Sequence, residues 1–173
     1  MKLLVIDCET GGLSADEHSI LTLGATVWPP DERVTAHWAV RENPYRVTPG
    51  ALAVNKINLV THDANAIEPA SVWASFLSFC AAQSELYKVA GRYVLGGHNT
   101  PFDIGFLKRL HRLAGDSRGF EDTFSHRFVD TMAVGTFFLL AGLLPPKQTM
   151  SLTALCTAFD SPIEGAHTAI GDA

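Results

Sequence analysis

Two carboxylates follow the first apolar run of the chain. Residues 2–7 are rich in apolar and β-branched types, which predicts a buried strand that ends at Asp7, with Glu9 two positions later. Because side chains alternate across a strand, both carboxylates project from the same face, about 7 Å apart. They repel each other unless a cation lies between them or the strand end is fully solvated. Hard oxygen ligands favour magnesium or manganese over zinc, and the alternative is a solvated strand end before the Gly11–Gly12 turn.

A third carboxylate, Asp103, follows another predicted strand. Residues 93–97 predict that strand, and the small polar residues 96–99 come at its end, where ligands bind in open α/β sheets. A purely structural role is the alternative for Asp103. Thr100 and Asp103 have the spacing of a capping box, Pro101 suits the first position of a helix, and an acid in the first turn favours the helix dipole.

A histidine and a fourth carboxylate come late in the sequence. His167 and Asp172 are five residues apart, which on a helix separates them by about 140°, so they do not share a helical face. They meet at one site only if they approach it from different directions, and a surface pair is the alternative. Apart from His98, which follows the strand at 93–97, the other histidines are interpreted as surface or structural residues: His18, His37, His62, His111 and His126.

The composition is typical of one globular domain. The chain has 173 residues, 47% hydrophobic and 18% charged, which excludes a disordered chain or a coiled coil. The net charge of −5 excludes a basic arm, so a nucleic-acid partner must be bound by local contacts. Three scattered cysteines form neither a disulfide framework nor a zinc motif. Because the sequence has no signal peptide and no run of about 20 apolar residues, we expect a soluble, cytoplasmic protein without a membrane partner.

The elements that position these residues alternate between strands and helices after an initial hairpin. Strands at 20–28 and 33–41 are predicted to pair antiparallel through residues 29–32. The next predicted elements are a short helix from 48–49, a helix from 68–69 to about 87, the strand at 93–97 and a helix from 100–101 to 115. They are followed by a strand at 128–130, a helix that continues from this strand to 140, a helix from 151 to about 159, and a helical piece near 167. This order predicts an α/β fold, with helices on the faces of a mixed sheet.

Taken together, the three carboxylate segments resemble the motifs of the DEDD exonuclease superfamily, in its histidine-bearing, DnaQ-like branch (DEDDh). Residues 7–13 are similar to its first motif, residues 98–107 to its second, and residues 167–172 to its third, whose histidine distinguishes this branch. Residues 128–131 are similar to a helix-opening segment that the family often has between the second and third motifs. The resemblance covers nearly the whole chain.

The resemblance implies a single exonuclease domain over residues 1–173, with a ribonuclease-H-like fold and 3′→5′ activity on the 3′ end of single-stranded DNA or RNA. It also implies two divalent ions, Mg²⁺ or Mn²⁺, and His167 as a general base beside them. The implied catalytic metal ligands are Asp7, Glu9, Asp103 and Asp172. Neighbouring residues are expected to contact the terminal nucleotide: Thr10, Leu13, Asn99 and Phe102. Asp130 is interpreted as the N-cap of the following helix and not as a ligand. Residues 51–58 stand where members of this superfamily often line the substrate cleft, and no ligands are named among them.

Two other functions are compatible with the same residues. One is an enzyme of this superfamily that acts on other phosphodiesters, such as small nucleotides. The other is a non-catalytic nucleic-acid-binding or polymerase-associated module with the same fold, although the presence of all five polar motif residues argues against it. A polymerase partner, a homo-oligomer and the preference for DNA or RNA stay open, because the motifs do not reveal contacts to the 2′ position.

Overall fold

The computed structural model describes residues 2–28, 34–86 and 91–161 of the chain. The strands are β1 (Lys2–Thr10), β2 (Ile20–Trp28), β3 (Thr35–Ala39), β4 (Tyr93–Gly97) and β5 (Phe124–Asp130). The helices are α1 (Pro49–Asn55), α2 (Leu59–Asn65), α3 (Pro69–Leu86), α4 (Thr100–Ala114), α5 (Phe120–Thr123), α6 (Thr131–Leu140) and α7 (Leu152–Ala158). The helical piece predicted near residue 167 lies outside the described residues.

The strands form one five-stranded sheet in the order β3-β2-β1-β4-β5. β2 pairs antiparallel with β1 and β3, whereas β4 is parallel to β1 and β5 is parallel to β4. The predicted hairpin and the predicted mixed α/β sheet are therefore confirmed. Because β1, β4 and β5 run in the same direction, their carboxyl ends meet at one edge of the sheet, which is where ligands bind in such folds.

One face of the sheet packs against α3 and α4. The side chains of Leu4, Ile6 and Cys8, at alternate positions of β1, are buried in this core with Phe76 of α3 and Phe106 of α4. Burying one large apolar side chain contributes about 1.5–3 kcal/mol. The core therefore fixes β1 against α4, the two elements that hold the first three predicted carboxylates.

Local capping groups open three of the predicted helices. Thr48, Asp130 and Ser151 each accept a hydrogen bond from a backbone N–H in the first turn of α1, α6 and α7, respectively. Each of these side chains satisfies a donor that the start of a helix leaves without an intrahelical partner. The interpretation of Asp130 as an N-cap is confirmed.

The capping box considered at Thr100 and Asp103 is wrong. The N-cap of α4 is Asn99, whose φ of 59° lies in the left-handed region, and no side chain caps this helix. The hydroxyl of Thr100 instead donates to the carbonyl oxygen of Val129 on β5, at 2.7 Å. A tertiary contact thus uses the group that a local cap would need.

The sequence does not reveal α2 and α5, and β5 begins four residues before the predicted strand at 128–130. α2 has only seven residues and α5 four, too few for an apolar period to show. Asn58 opens α2 by accepting hydrogen bonds from the N–H groups of Val60 and Thr61. Within the described ranges, the structure contains no helix of the length and apolarity that a membrane crossing requires.

Candidate active site

The end of β1 presents two carboxylates beside a core residue. Burial alternates along the strand, so that Cys8 is buried in the core while Asp7 and Glu9 are half-buried on the other face. The prediction that both carboxylates share one face is confirmed. On β2, Gly24 lies opposite Asp7 and places no side chain beside the carboxylate.

β4, the parallel neighbour of β1, approaches this end of β1 closely because its last residue is a glycine. A Cβ atom at Gly97 would lie 2.9 Å from the carbonyl oxygen of Ile6, the residue before Asp7. A larger residue would push β4 away from β1. Since α4 begins three residues after Gly97, the glycine also brings the first turn of α4 next to the carboxylates of β1.

Asp103, in the first turn of α4, joins the helix to the strand between those carboxylates. Its side chain is only 3% exposed, and its Oδ1 accepts a hydrogen bond of 2.8 Å from the backbone N–H of Cys8. Burial raises the pKa of Asp103 to about 7, although the hydrogen bonds from Cys8 oppose that rise and the charge of Glu9 adds to it. The Asp103 carboxylate therefore needs a nearby positive charge to stay fully ionised at neutral pH.

The electrostatics of Cys8 show that the three carboxylates share one environment. Burial raises the pKa of the Cys8 thiol, and the negative charges of Asp103, Asp7 and Glu9 raise it further. The oxygen donors of these three acids have the hardness that Mg²⁺ and Mn²⁺ prefer. The described residues by themselves contain no group of three or more His, Cys, Asp or Glu side chains placed to hold a metal ion. His167 and Asp172, which complete the predicted set, lie outside the described residues.

A cavity of about 380 Å³ opens beside Glu9. The first two motifs contribute six lining residues: Cys8, Glu9, Thr10, Gly12, Leu13 and Phe102. Three of them, Thr10, Leu13 and Phe102, are predicted substrate contacts. The Leu13 side chain is 88% exposed at the rim, while the ring of Phe102 packs against that of Phe106, at 5.0 Å between centroids. The cavity thus offers an apolar rim next to the carboxylates, which suits a base beside a phosphate.

The fourth predicted substrate contact, Asn99, lies elsewhere. It does not line this cavity, and its exposed position at the start of α4 is fixed by its backbone N–H, which donates to Oδ1 of Asp130 at 2.8 Å. The same oxygen caps α6, so Asp130 joins the starts of α4 and α6. A substrate contact by Asn99 stays a prediction.

Helix α1 forms the opposite wall of the cavity. Its residues from 51 onward belong to the segment 51–58 that the family resemblance places at the substrate cleft, with no individual contacts named. The wall residues are Thr48, Gly50, Ala51, Val54 and Asn55. The amide of Asn55 donates to the carbonyl oxygen of Thr10 at 3.1 Å, and the N–H of Thr48 donates to the carbonyl oxygen of Gly11 at 2.7 Å. A Cβ atom at Gly11 would collide with the carbonyl oxygen of Arg46, so a glycine is required there. The cap at Thr48 predicted this helix, but its individual contacts with Thr10 and Gly11 come from the tertiary structure.

A buried ion pair fixes the loop that carries Leu13. Arg109 of α4 donates two hydrogen bonds to the carboxylate of Glu42, from Nε at 2.9 Å and from a terminal nitrogen at 2.6 Å. The other terminal nitrogen of Arg109 donates to the carbonyl oxygen of Ala15 at 3.0 Å, and Glu42 also accepts from the hydroxyl of Ser19. The pair therefore joins α4 to the middle and to the last residue of the 11–19 loop. Sequence analysis missed it, since the two residues are far apart in the chain.

The carboxylates at the sheet edge and the cavity beside them define a ribonuclease-H-like exonuclease fold with a nucleotide-sized site. A family model described as Exonuclease, RNase T, matches residues 4–173. The chain therefore belongs to the RNase T exonuclease family, within the DnaQ-like part of the DEDD exonuclease superfamily. The family resemblance and the fold inferred from the motifs are both confirmed.

Relatives and solved structures agree with this assignment. The chain is 29% identical over 167 residues to the DNA polymerase III subunit epsilon of Treponema pallidum, covering 96% of this chain and 69% of that protein. It is 30% identical over 174 residues to the DNA polymerase III PolC-type of Latilactobacillus sakei, of which it spans only 10%. E. coli Exonuclease I in complex with a dT13 oligonucleotide shares the fold, with a TM-score of 0.71 at 17% identity over 99% of this chain and 38% of that one.

Proposed function

We propose that this chain is a metal-dependent 3′→5′ exonuclease that removes nucleotides from the 3′ end of single-stranded DNA or RNA. The observation that supports this most directly is the position of Asp103, whose carboxylate accepts the backbone N–H between Asp7 and Glu9. Three acids from two motifs thus lie at one edge of the sheet, next to a cavity of nucleotide size. In this proposal residues 1–173 act as a single exonuclease domain.

The four acids Asp7, Glu9, Asp103 and Asp172 are proposed to hold two Mg²⁺ or Mn²⁺ ions. Bound there, two cations supply the positive charge that stabilises the attacking and leaving oxygens of a phosphodiester. The raised pKa of Asp103 supports a cation at this position, because the buried carboxylate otherwise retains a proton near neutral pH. A cation would also relieve the repulsion between Asp7 and Glu9.

His167 is proposed as the general base that takes a proton from the attacking water. An imidazole suits this role because its ordinary pKa of about 6.5 leaves it largely neutral at neutral pH. Its assignment, and with it membership of the histidine branch, depends on the spacing of the third motif. Asp172 is assigned on the same motif.

The terminal nucleotide is proposed to occupy the cavity between the first motif and α1. Leu13 and Phe102 offer apolar surface for the base, and Asn99 is proposed to contact the sugar or a phosphate. The hydroxyl of Thr10 donates to the carbonyl oxygen of Gly12 at 2.8 Å, so Thr10 acts here by shaping the turn that presents Leu13. We expect this pocket to accept a single-stranded end, so that a duplex end is degraded more slowly.

A polymerase partner is a second part of the proposal. The relative in Treponema pallidum is described as a subunit of DNA polymerase III, and the PolC-type protein as a form of that polymerase. A non-catalytic, polymerase-associated module with this fold remains the alternative function. It predicts binding to a polymerase without any hydrolysis of nucleic acid.

The deciding experiment follows degradation of 5′-labelled DNA and RNA oligonucleotides with Mg²⁺, Mn²⁺ or EDTA. We expect a ladder that shortens from the 3′ end with either metal and no cleavage in EDTA. A circular single strand serves as the matched substrate without an end and should stay intact. Hydrolysis in excess chelator would refute the two-metal proposal, and cleavage of the circle would refute the exonuclease.

A further inference from the structure

The cations of the described chain fall into two groups. In one group each side chain forms an ion pair with a carboxylate, and its members are Arg41, Lys108, Arg109, Arg112 and Arg118. In the other group are exposed side chains that form no ion pair with any carboxylate in the described ranges: Arg46, Lys56, Arg92, Arg127 and Lys147. Of these, Arg46 and Lys56 lie at the two ends of α1, the helix that lines the cavity. Unpaired cations bind an incoming anion without first giving up a protein partner.

Arg46 is held next to the first motif by its backbone. Its N–H donates to the hydroxyl of Ser19 at 2.8 Å, and its carbonyl oxygen accepts from the N–H of Ser19 at 3.0 Å and contacts Gly11. Two residues later, the N–H of Thr48 donates to the carbonyl oxygen of Gly11. The Arg46 side chain therefore starts from a rigid point beside the Gly11–Gly12 turn of the cavity.

Lys56 lies at the other end of the same wall. It is the C-cap of α1, with a φ of 58°, and its N–H donates to the carbonyl oxygen of Leu52 at 2.9 Å. The preceding residue, Asn55, lines the cavity and donates to the carbonyl oxygen of Thr10. Arg46 and Lys56 thus flank α1, a helix about 10 Å long, opposite the wall that contains Glu9.

We propose that Arg46 and Lys56 bind backbone phosphates of the nucleic-acid strand internal to its terminal nucleotide. This inference rests on the proposed function, because it extends the substrate away from the cavity. We call the two residues the α1 cations. Arg46 binds a phosphate through paired N–H donors, whereas Lys56 acts as a point charge.

The α1 cations supply local positive charge in a protein whose net charge is negative. With a net charge of −5 and three carboxylates at the sheet edge, the protein repels a polyanion at long range. Two unpaired cations across the cavity provide local attraction at the position where the strand leaves the site. They act on affinity for a strand and leave the hydrolysis of the terminal bond unchanged.

The test compares binding of a 5′-fluorescein-labelled dodecamer of thymidylate, by anisotropy, over a range of KCl concentrations. The parent is Asp7→Asn, in which the oligonucleotide should stay intact, and the variants add Arg46→Ala, Lys56→Ala or both. Arg92→Ala is the matched control, because Arg92 is exposed, also has no ion pair within the described residues, and precedes β4 at the opposite end of the sheet. Arg46→Lys keeps the charge and should restore most of the affinity.

We expect the double variant to bind the dodecamer about tenfold more weakly. The slope of log affinity against log salt should fall by about 1.4, since each phosphate contact to a single strand contributes about 0.7. Arg92→Ala should match its parent in both quantities. An unchanged slope in the double variant, or a parent that does not bind the dodecamer, overturns the inference.

Activity in the wild-type background separates this inference from the proposed function. The double substitution should raise KM for the dodecamer and leave kcat, and the cleavage of a dinucleotide, within twofold of wild type. An equal loss on the dinucleotide would place the two residues in the pocket and overturn the inference. Salt-dependent binding through the α1 cations without cleavage of any substrate would instead refute the proposed function alone.

Discussion

Two regions of the molecule are built in opposite ways. Around the cavity, the end of β1, α1 and α4 are joined by hydrogen bonds between segments far apart in the sequence, and Asp103 is almost fully buried. In contrast, α6 and the residues after it expose large apolar side chains, with Phe137 65%, Leu140 82% and Leu143 68% exposed.

The two regions also differ in what holds their elements together. α6 and α7 meet through a close apolar contact, since a Cβ atom at Gly135 would lie 2.8 Å from the side chain of Leu155. A groove of about 340 Å³ runs between them with an almost wholly apolar lining. The first two motifs thus depend on a polar network with fixed geometry, whereas α6 and α7, which precede the third motif, depend on apolar packing.

The largest expected effect comes from the acid at the centre of the cavity region. Asp7→Asn should lower kcat by about 10³-fold or more, because one metal ligand and its charge are lost. The fold should persist, since the substitution also relieves repulsion between Asp7 and Glu9. Single-turnover rates with Mn²⁺, together with circular dichroism, check both statements. An unfolded Asp7→Asn protein would make Asp7 structural.

Breaking the buried ion pair of the same region should lower the free energy of unfolding. Glu42→Ala should cost about 3–5 kcal/mol, because it leaves Arg109 buried without its partner. Asp16→Ala removes the exposed pair with Arg112 and should cost at most about 1 kcal/mol. Urea unfolding of both variants gives the two free energies. Equal costs would contradict the contrast between the buried and the exposed pair.

His167 of the third motif should contribute to chemistry and not to metal binding. His167→Ala should lower the single-turnover rate by about 10²-fold or more at saturating Mn²⁺, with the metals still bound. The acidic limb of the pH–rate profile, measured from pH 5.5 to 9, should be lost or displaced. A rate and profile equal to wild type would remove His167 from the mechanism.

Asp103 should make the metal-free protein less stable as the pH rises. Its pKa is about 7 in the folded protein and about 3.9 in an unfolded chain, so the folded state retains a proton that the unfolded state loses. Its contribution is therefore fully present below about pH 4 and lost progressively up to pH 7. In EDTA at pH 8, Asp103→Asn should stabilise the protein, because the buried amide carries no charge.

The measurement for Asp103 is urea unfolding in EDTA at pH 5 and pH 8, with Asp16→Asn as the exposed control. The stability gained by Asp103→Asn should be smaller at pH 5 than at pH 8. If wild type and Asp103→Asn had the same pH dependence of the free energy of unfolding, the pKa of Asp103 would not be raised in the folded protein.

The smallest effect is expected on the outer face of α6. Leu140→Ala should change the free energy of unfolding by no more than about 0.5 kcal/mol, because the side chain is exposed. Leu110→Ala, the same change at a fully buried position of α4, should cost about 2–5 kcal/mol. Thermal or urea unfolding measures both. A comparable cost at Leu140 would contradict the contrast between the two regions.

The sequence by itself determined the features that depend on near neighbours in the chain. The alternation of a strand placed Asp7 and Glu9 on one face, and the side chains of Thr48, Asp130 and Ser151 capped the helices that follow them. The order of strands and helices determined the mixed α/β sheet. The motif spacing also determined the family, because three motifs in order identify a superfamily even where each one alone has a structural explanation.

Only the tertiary structure decided how distant segments meet. The hydrogen bond from Cys8 to Asp103 joins residues 95 positions apart, and the pair of Glu42 with Arg109 joins residues 67 positions apart. The hydroxyl of Thr100 bonds to β5 instead of capping its own helix. Local sequence patterns do not reveal such contacts, because a side chain with several possible hydrogen-bond partners bonds to the partner that the packed sheet brings close to it.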